Sequence, residues 1–169
     1  MRRQNRGKDF EGEIKDCLKC IPNVSFDRLP DPMAGYSGVR NICDFAMYNE
    51  PHMFYLECKS LYGNTLNFKS DITTDQWEGL FEKSKIRGCI AGFCVWFIDH
   101  DLTVFVKVQD MQEHRQNGAK SLNISDITSD NSIPHFIIDG VKKKVKFRYF
   151  GESFLKNLHR LALEEWGED

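Results

Sequence analysis

The spacing of apolar residues predicts a helix near the start of the chain. Between residues 8 and 21, Phe10, Ile14, Cys17 and Leu18 recur at intervals of three or four residues and therefore line one helical face. A short helix and two further amphipathic helices are expected later in the chain. The predicted helices cover 8–21, 73–86, 109–116 and 152–166.

Other segments have the pattern of β-strands. The run CIAGFCVWFI at 89–98 is almost continuously apolar, which is typical of a strand covered on both faces. Apolar and polar residues alternate in the remaining strands, of which two pairs are expected to form hairpins, around Asn49–Pro51 and around Gly140. The predicted strands cover 42–48, 52–61, 89–98, 102–108, 135–139 and 141–149.

The order of these elements is helix, strands, helix, strands, helix. This order predicts an α/β fold with a mixed central β-sheet flanked by helices. Two long irregular stretches, 22–41 and 117–134, interrupt the pattern. Loops of that length within a compact domain are usually functional or mobile.

The first hairpin carries the most informative polar residues. If its turn centres between Glu50 and Pro51, Asp44 lies directly opposite Glu57. Side chains alternate between the two faces of a strand, so Glu57 and Lys59 point the same way. Asp44, Glu57 and Lys59 are therefore expected to converge on one face of the hairpin.

Two carboxylates facing each other across a hairpin repel, with Cβ atoms about 5 Å apart. A divalent cation between them would remove the repulsion, and carboxylates suit Mg²⁺ or Mn²⁺. A lysine beside such a metal could stabilise a phosphate oxygen or orient a water, an arrangement suited to phosphodiester hydrolysis. A salt-bridged, solvent-exposed strand face without catalytic function would show the same residues, and the hairpin pattern alone leaves both interpretations open.

Composition narrows the class of protein. A chain of 169 residues suits one domain, here taken as 1–169, and the sequence has neither a signal peptide nor an apolar run long enough for a transmembrane helix. Without a secretory signal, the six cysteines favour reduced thiols and a cytoplasmic location. The net charge of −2 argues against a protein that coats nucleic acid through bulk charge, but it does not exclude a nuclease.

Several short motifs, in this order and spacing, resemble the PD-(D/E)xK nuclease superfamily and, within it, the RecU-like Holliday junction resolvases. The resemblance covers roughly residues 4–125, and its central element is Asp44 followed by Glu57-Cys58-Lys59. The other matching motifs are Asn5-Arg6-Gly7, Thr65-Leu66-Asn67-Phe68 with Asp75-Gln76, Gly88-Cys89-Ile90 and Gly118-Ala119-Lys120-Ser121.

This resemblance implies a restriction-endonuclease-like core and a homodimeric, Mg²⁺-dependent endonuclease that cuts branched DNA symmetrically. Mn²⁺ is expected to substitute for Mg²⁺, and no small-molecule cofactor or membrane partner is expected. Asp44, Glu57 and the backbone carbonyl of Cys58 would bind the metal. Lys59 would support the attacking water, and Gln76 would be an accessory residue of the site.

Two residues have competing interpretations. On a helical wheel, Glu11 and Glu13 lie on opposite shoulders of the apolar stripe, and periodicity does not choose between them. The resemblance favours Glu11 as a catalytic-site residue, whereas the alternative is a solvated helix acid. Thr73-Thr74-Asp75-Gln76 also fits a capping box that opens a helix, so Gln76 could have either role or both.

Basic segments are the predicted DNA contacts. Residues 1–7 are expected to form a flexible basic arm, and 142–148 a strand with one basic face, although a solvated terminus and a solvated edge strand would look alike. The predicted DNA-binding residues are Arg2, Arg3, Arg6, Lys8, Arg28, Lys142 and Lys144.

The chain departs from the family in one interval. RecU-type enzymes carry a protruding stalk before the catalytic aspartate, whereas this chain has only the shorter segment 22–41 as a stalk-like or substrate loop. The predicted function is therefore a resolvase of four-way junctions in recombination and repair, in a bacterial cell or a phage-infected host. The alternatives are a restriction- or repair-type nuclease acting on linear duplex DNA, or a non-catalytic DNA-binding module.

Overall fold

The computed structural model describes residues 6–30 and 41–167, and six strands of this part form one central sheet. The helices are α1 (Arg6–Lys19), α2 (Phe68–Asp71), α3 (Thr74–Ser84), α4 (Val108–Gln116), α5 (Ile124–Thr128) and α6 (Gly151–Trp166). The strands are β1 (Ser25–Arg28), β2 (Phe45–Asn49), β3 (His52–Leu61), β4 (Thr65–Asn67), β5 (Cys89–Phe97), β6 (Leu102–Lys107), β7 (Ser121–Asn123), β8 (Phe136–Ile137), β9 (Gly140–Lys143) and β10 (Lys146–Tyr149).

The central sheet has the strand order β1-β2-β3-β5-β6-β8. Strands β3 and β5 are parallel and every other neighbouring pair is antiparallel, so the sheet is mixed. The predicted α/β class with a mixed central sheet flanked by helices is confirmed.

Two apolar layers cover the sheet, one on each face. Phe10, Ile14 and Leu158 place α1 and α6 against one face. Trp77 and Met111 place α3 and α4 against the other. Strand β5 lies between the layers, and all its residues after the first are buried, as the continuous apolar run predicts.

Both long irregular stretches contain short elements that the sequence analysis missed. The 22–41 stretch contains β1, which forms one edge of the sheet by pairing with β2. The 117–134 stretch contains β7 and α5, and β7 pairs with β4 in a separate two-stranded sheet. These strands have three or four residues, too few for an alternating pattern to stand out from chance.

The predicted hairpin around Gly140 is wrong. Gly140 lies within β9, where an added Cβ would come within 2.7 Å of the carbonyl oxygen of Arg148, so close approach to β10 explains the glycine. The turn instead falls at Lys144, whose φ is 54°. Strand β8 does not pair with β10 but with β6, through the pair Phe105 and Phe136.

Within the described part of the chain, no helix combines the length and apolarity needed to span a bilayer. All six cysteines are free thiols.

Candidate active site

The β2–β3 hairpin has the predicted register. Its pairs run from Phe45 opposite Leu56 to Asn49 opposite His52. One residue before β2, the N–H of Asp44 donates to the carbonyl oxygen of Leu56 at 3.1 Å. The side chain of Asp44 turns onto β3, where its Oδ2 accepts a hydrogen bond of 2.8 Å from the N–H of Cys58. The hairpin therefore holds the Asp44 carboxylate beside Glu57.

Gln76 connects the other two polar groups of β3. Its Nε2 donates to Oε1 of Glu57 at 2.7 Å, and its Oε1 accepts from Nζ of Lys59 at 3.0 Å. Nζ of Lys59 also lies 3.0 Å from Oε1 of Glu57, which closes a triangle of contacts. Three side chains from β3 and the first turn of α3 thus fix one another, although Glu57 is only 4% exposed.

The capping box predicted at the start of α3 is present together with these contacts. Oγ1 of Thr73 accepts from the N–H of Gln76, and Oε1 of Gln76 accepts from the N–H of Thr73 at 3.1 Å. Gln76 therefore both caps the helix and bridges Lys59 and Glu57, so the two interpretations of the sequence hold at once.

Burial dominates the electrostatics of the two acids. Desolvation and the charge of Asp44 raise the pKa of Glu57 to about 8, despite the opposing effect of Lys59. Desolvation also raises the pKa of Asp44 to about 6, against the hydrogen bond from Cys58, and the Glu11 charge raises it further. Near neutral pH the metal-free pair therefore keeps a proton that two exposed carboxyls would lose.

The donor set of this site fits a hard divalent cation. Among residues 6–30 and 41–167, no three His, Cys, Asp or Glu side chains come together as a metal-binding group. The site offers instead the two carboxylates of Asp44 and Glu57, with the backbone of Cys58 between them. Mg²⁺ is commonly held by one or two carboxylates and completes its shell with water and substrate phosphate. The raised pKa values add that a bound cation would replace the retained proton.

The structure separates Glu11 from Glu13. Glu11 forms an ion pair with Arg28, and its charge acts on Asp44, so it faces the site. Glu13 is buried under the other shoulder of α1. A small cavity of about 300 Å³ lies beside Glu11, and the basic side chains of Lys8, Lys15 and Arg28 line it.

Sequence analysis missed Lys15 as a member of this group. Its signal was present, since Lys8, Glu11 and Lys15 follow one another at helical intervals of three and four residues. Lys8 and Arg28, which were predicted to bind DNA, thus lie together near the site, whereas Arg2 and Arg3 fall outside the described residues.

Three of the other basic predictions need correction. Helix α1 already begins at Arg6, so Arg6 and Gly7 belong to the helix rather than to the basic arm predicted over 1–7. The predicted single basic strand over 142–148 is wrong, because the chain reverses at Lys144. Lys142 forms an ion pair with Asp101, on the opposite hairpin face from the other strand lysines.

The two roles of Gln76 can be separated by mutation. Thr73→Ala removes the helix cap but keeps both contacts of Gln76 with β3, so we expect a loss of about 1 kcal/mol of stability and little loss of cleavage. Gln76→Ala removes those contacts as well, and we expect cleavage to fall about a hundredfold because Lys59 and Glu57 lose their alignment. Urea unfolding and nicking rates measure the two effects. Equal losses of cleavage in both variants would show that only the cap matters.

Comparison with known proteins gives one structural likeness. The solved structure of Hjc, a Holliday junction resolvase from Archaeoglobus fulgidus, matches 62% of this chain and 78% of its own, with a TM-score of 0.44 and 20% sequence identity. No protein-family model matches the chain. No curated protein matches it either.

Proposed function

We propose that the chain is a metal-dependent endodeoxyribonuclease whose site comprises Asp44, Glu57, Lys59 and Gln76. The observation that carries this proposal is the convergence of two buried carboxylates with a lysine, held together by the amide of Gln76. An exposed strand face with ordinary salt bridges would not bury Glu57 to 4% exposure or raise the pKa of either acid.

In this mechanism, Asp44, Glu57 and the carbonyl of Cys58 hold Mg²⁺, for which Mn²⁺ can substitute. The cation would supply Lewis-acid stabilisation of the charge that develops on the phosphodiester. Lys59 donates from Nζ to the attacking water or to a phosphate oxygen, and Gln76 keeps Nζ aligned. Glu11 keeps Arg28 beside the site, where Lys8, Lys15 and Arg28 would hold neighbouring phosphates.

The substrate proposed is a four-way DNA junction, cut by a homodimer, as the resemblance to RecU-like resolvases implies. Symmetric cleavage of two strands needs two copies of the site, and one chain carries one. A second candidate substrate is linear duplex DNA. It is favoured by the interval before Asp44, where β1 takes residues 25–28 into the sheet edge and shortens the segment free to act as a stalk.

Cleavage assays on a four-way junction, the matching linear duplex and the single strands distinguish these proposals. With Mg²⁺, we expect paired nicks at the junction and none in any substrate with EDTA. Equal cleavage of linear duplex would replace the junction by duplex DNA as substrate. If neither Mg²⁺ nor Mn²⁺ supports cleavage of any substrate, the chain is not a nuclease.

A further inference from the structure

A second site lies on the side of α1 that faces away from Asp44. Between α1, the β9–β10 hairpin and the start of α6, the surface forms a cleft of about 680 Å³. That volume falls within the range of pockets that bind small molecules. The cleft contains none of the residues proposed for cleavage.

Glu13 lies in this cleft and is only 6% exposed. Neither of its carboxyl oxygens makes a hydrogen bond of ordinary geometry within the described residues. Burial raises its pKa to about 7, although the nearby N–H of Phe147 and the charges of Lys146 and Arg6 lower it. A buried carboxyl without a partner costs free energy, so a ligand that donates hydrogen bonds to it would recover that cost.

The mouth of the cleft is basic on its hairpin side. Cross-strand pairing places Lys143, Lys146 and Arg148 on one face of the hairpin, and all three line the cleft. Lys143 and Arg148 form no ion pair with any residue in the described ranges, and Lys146 reaches Asp9 only at 4.0 Å. Asp16 and Glu152 also line the cleft from the two helices. The free cations suit a ligand that carries negative charge.

Aromatic rings form the rest of the hairpin side. Phe147 and Tyr149 stack on each other with centroids 5.7 Å apart, and both line the cleft. Phe150 lines it as well and is 49% exposed. Such rings stabilise a planar heterocycle by stacking.

We propose that this cleft binds a guanine nucleotide, either free or as an unpaired residue of a DNA strand. Guanine presents two adjacent donors on one edge, N1–H and the N2 amino group, which match the two oxygens of the Glu13 carboxylate. The phosphate lies against Lys143 and Arg148. A purely cationic ligand would satisfy Glu13 but would be repelled by the hairpin lysines. Adenine and cytosine each place an acceptor next to their donor and would meet a carboxylate oxygen unfavourably.

Calorimetric titration tests the proposal without cleavage, in EDTA at pH 8, where Glu13 is ionised. We expect dGMP to bind, and dIMP, which lacks the N2 amino group, to bind about 10- to 100-fold more weakly, since a hydrogen bond to a charged group is lost. dAMP should bind no better than dIMP. A thymidine decamer with one central guanine, compared with the all-thymidine decamer, shows whether the guanine of a DNA strand also enters the cleft.

Variants assign the contacts. Glu13→Gln keeps the size of the side chain and removes the buried charge, so it should fold and bind dGMP at least about tenfold more weakly. Lys143→Ala should weaken dGMP but not deoxyguanosine, which has no phosphate. Glu152→Gln changes an exposed carboxyl of the same cleft and should not weaken dGMP binding.

Three outcomes would overturn the proposal. They are equal affinity for dGMP and dAMP, unchanged dGMP binding by Glu13→Gln, and Glu13-dependent binding of arginine amide without binding of dGMP. The last would indicate a cationic peptide as ligand. The dGMP and dIMP comparison uses the unaltered protein, so it decides the question even if a variant fails to fold. A nuclease assay plays no part, so failure here leaves the proposed function standing.

Discussion

Replacing Asp44 by asparagine is expected to lower Mg²⁺-dependent DNA cleavage at least about a thousandfold, while DNA binding in EDTA stays close to wild type. Asparagine keeps an oxygen that can accept from the N–H of Cys58, so the hairpin should retain its local geometry. It loses the negative charge that the metal requires. Lewis-acid stabilisation is worth several kcal/mol, and about 1.4 kcal/mol corresponds to a factor of ten in rate.

Single-turnover cleavage of a labelled junction, with titration of Mg²⁺ and Mn²⁺, measures this effect. Asp130→Asn, at an exposed aspartate between α5 and β8, is a matched control and should cleave like wild type. If Asp44→Asn retained more than about a tenth of the wild-type rate, a difference of only about 1.4 kcal/mol, Asp44 would not be a metal ligand.

Replacing Glu57 by glutamine is expected to abolish cleavage and yet to stabilise the metal-free fold at alkaline pH. The pKa of Glu57 is raised to about 8 in the folded protein, from an ordinary value of 4.5. Between these two values, the folded state retains a proton that the unfolded state has lost, so wild-type stability falls as pH rises through this window. Glutamine does not titrate and avoids that loss.

Urea unfolding in EDTA at several pH values tests this. Since one pKa unit corresponds to about 1.4 kcal/mol, Glu57→Gln should exceed wild type by a few kcal/mol near pH 8, with the difference shrinking towards pH 5. Excess Mg²⁺ at pH 8 should stabilise wild type and leave the variant unchanged. A variant less stable than wild type at pH 8 would show that the Glu57 anion is satisfied by Lys59 without a metal.

The part of the site that depends on local pairing was predictable from the sequence. The turn around Pro51 sets the hairpin register, and that register brings Asp44 to Glu57. Continuous apolar residues likewise identify β5 as a central strand. In each case the signal lies within a short stretch of chain, where periodicity and turn residues are informative.

Other features depend on which segments meet in space, and the sequence pattern could not supply them. Glu11 and Glu13 are equivalent on the helical wheel, and only the docking of α1 against the sheet and the β9–β10 hairpin gives them different surroundings. The hairpin predicted around Gly140 fails for the same reason. A glycine needed for close approach to a neighbouring strand leaves the same mark in a sequence as a glycine needed for a turn.

The position of the parallel pair in the sheet has a consequence for folding. The β2–β3 hairpin closes a very short loop, whereas β3 meets β5 only after the chain has passed through α3. Short loops close at lower entropic cost and therefore tend to form earlier. Asp44 and Glu57 would then come together while still hydrated, and the cost of dehydrating them would fall on the later step, when α3 and β5 cover the hairpin. A divalent ion captured by the open hairpin would lower that late barrier, so metal could speed folding as well as catalysis.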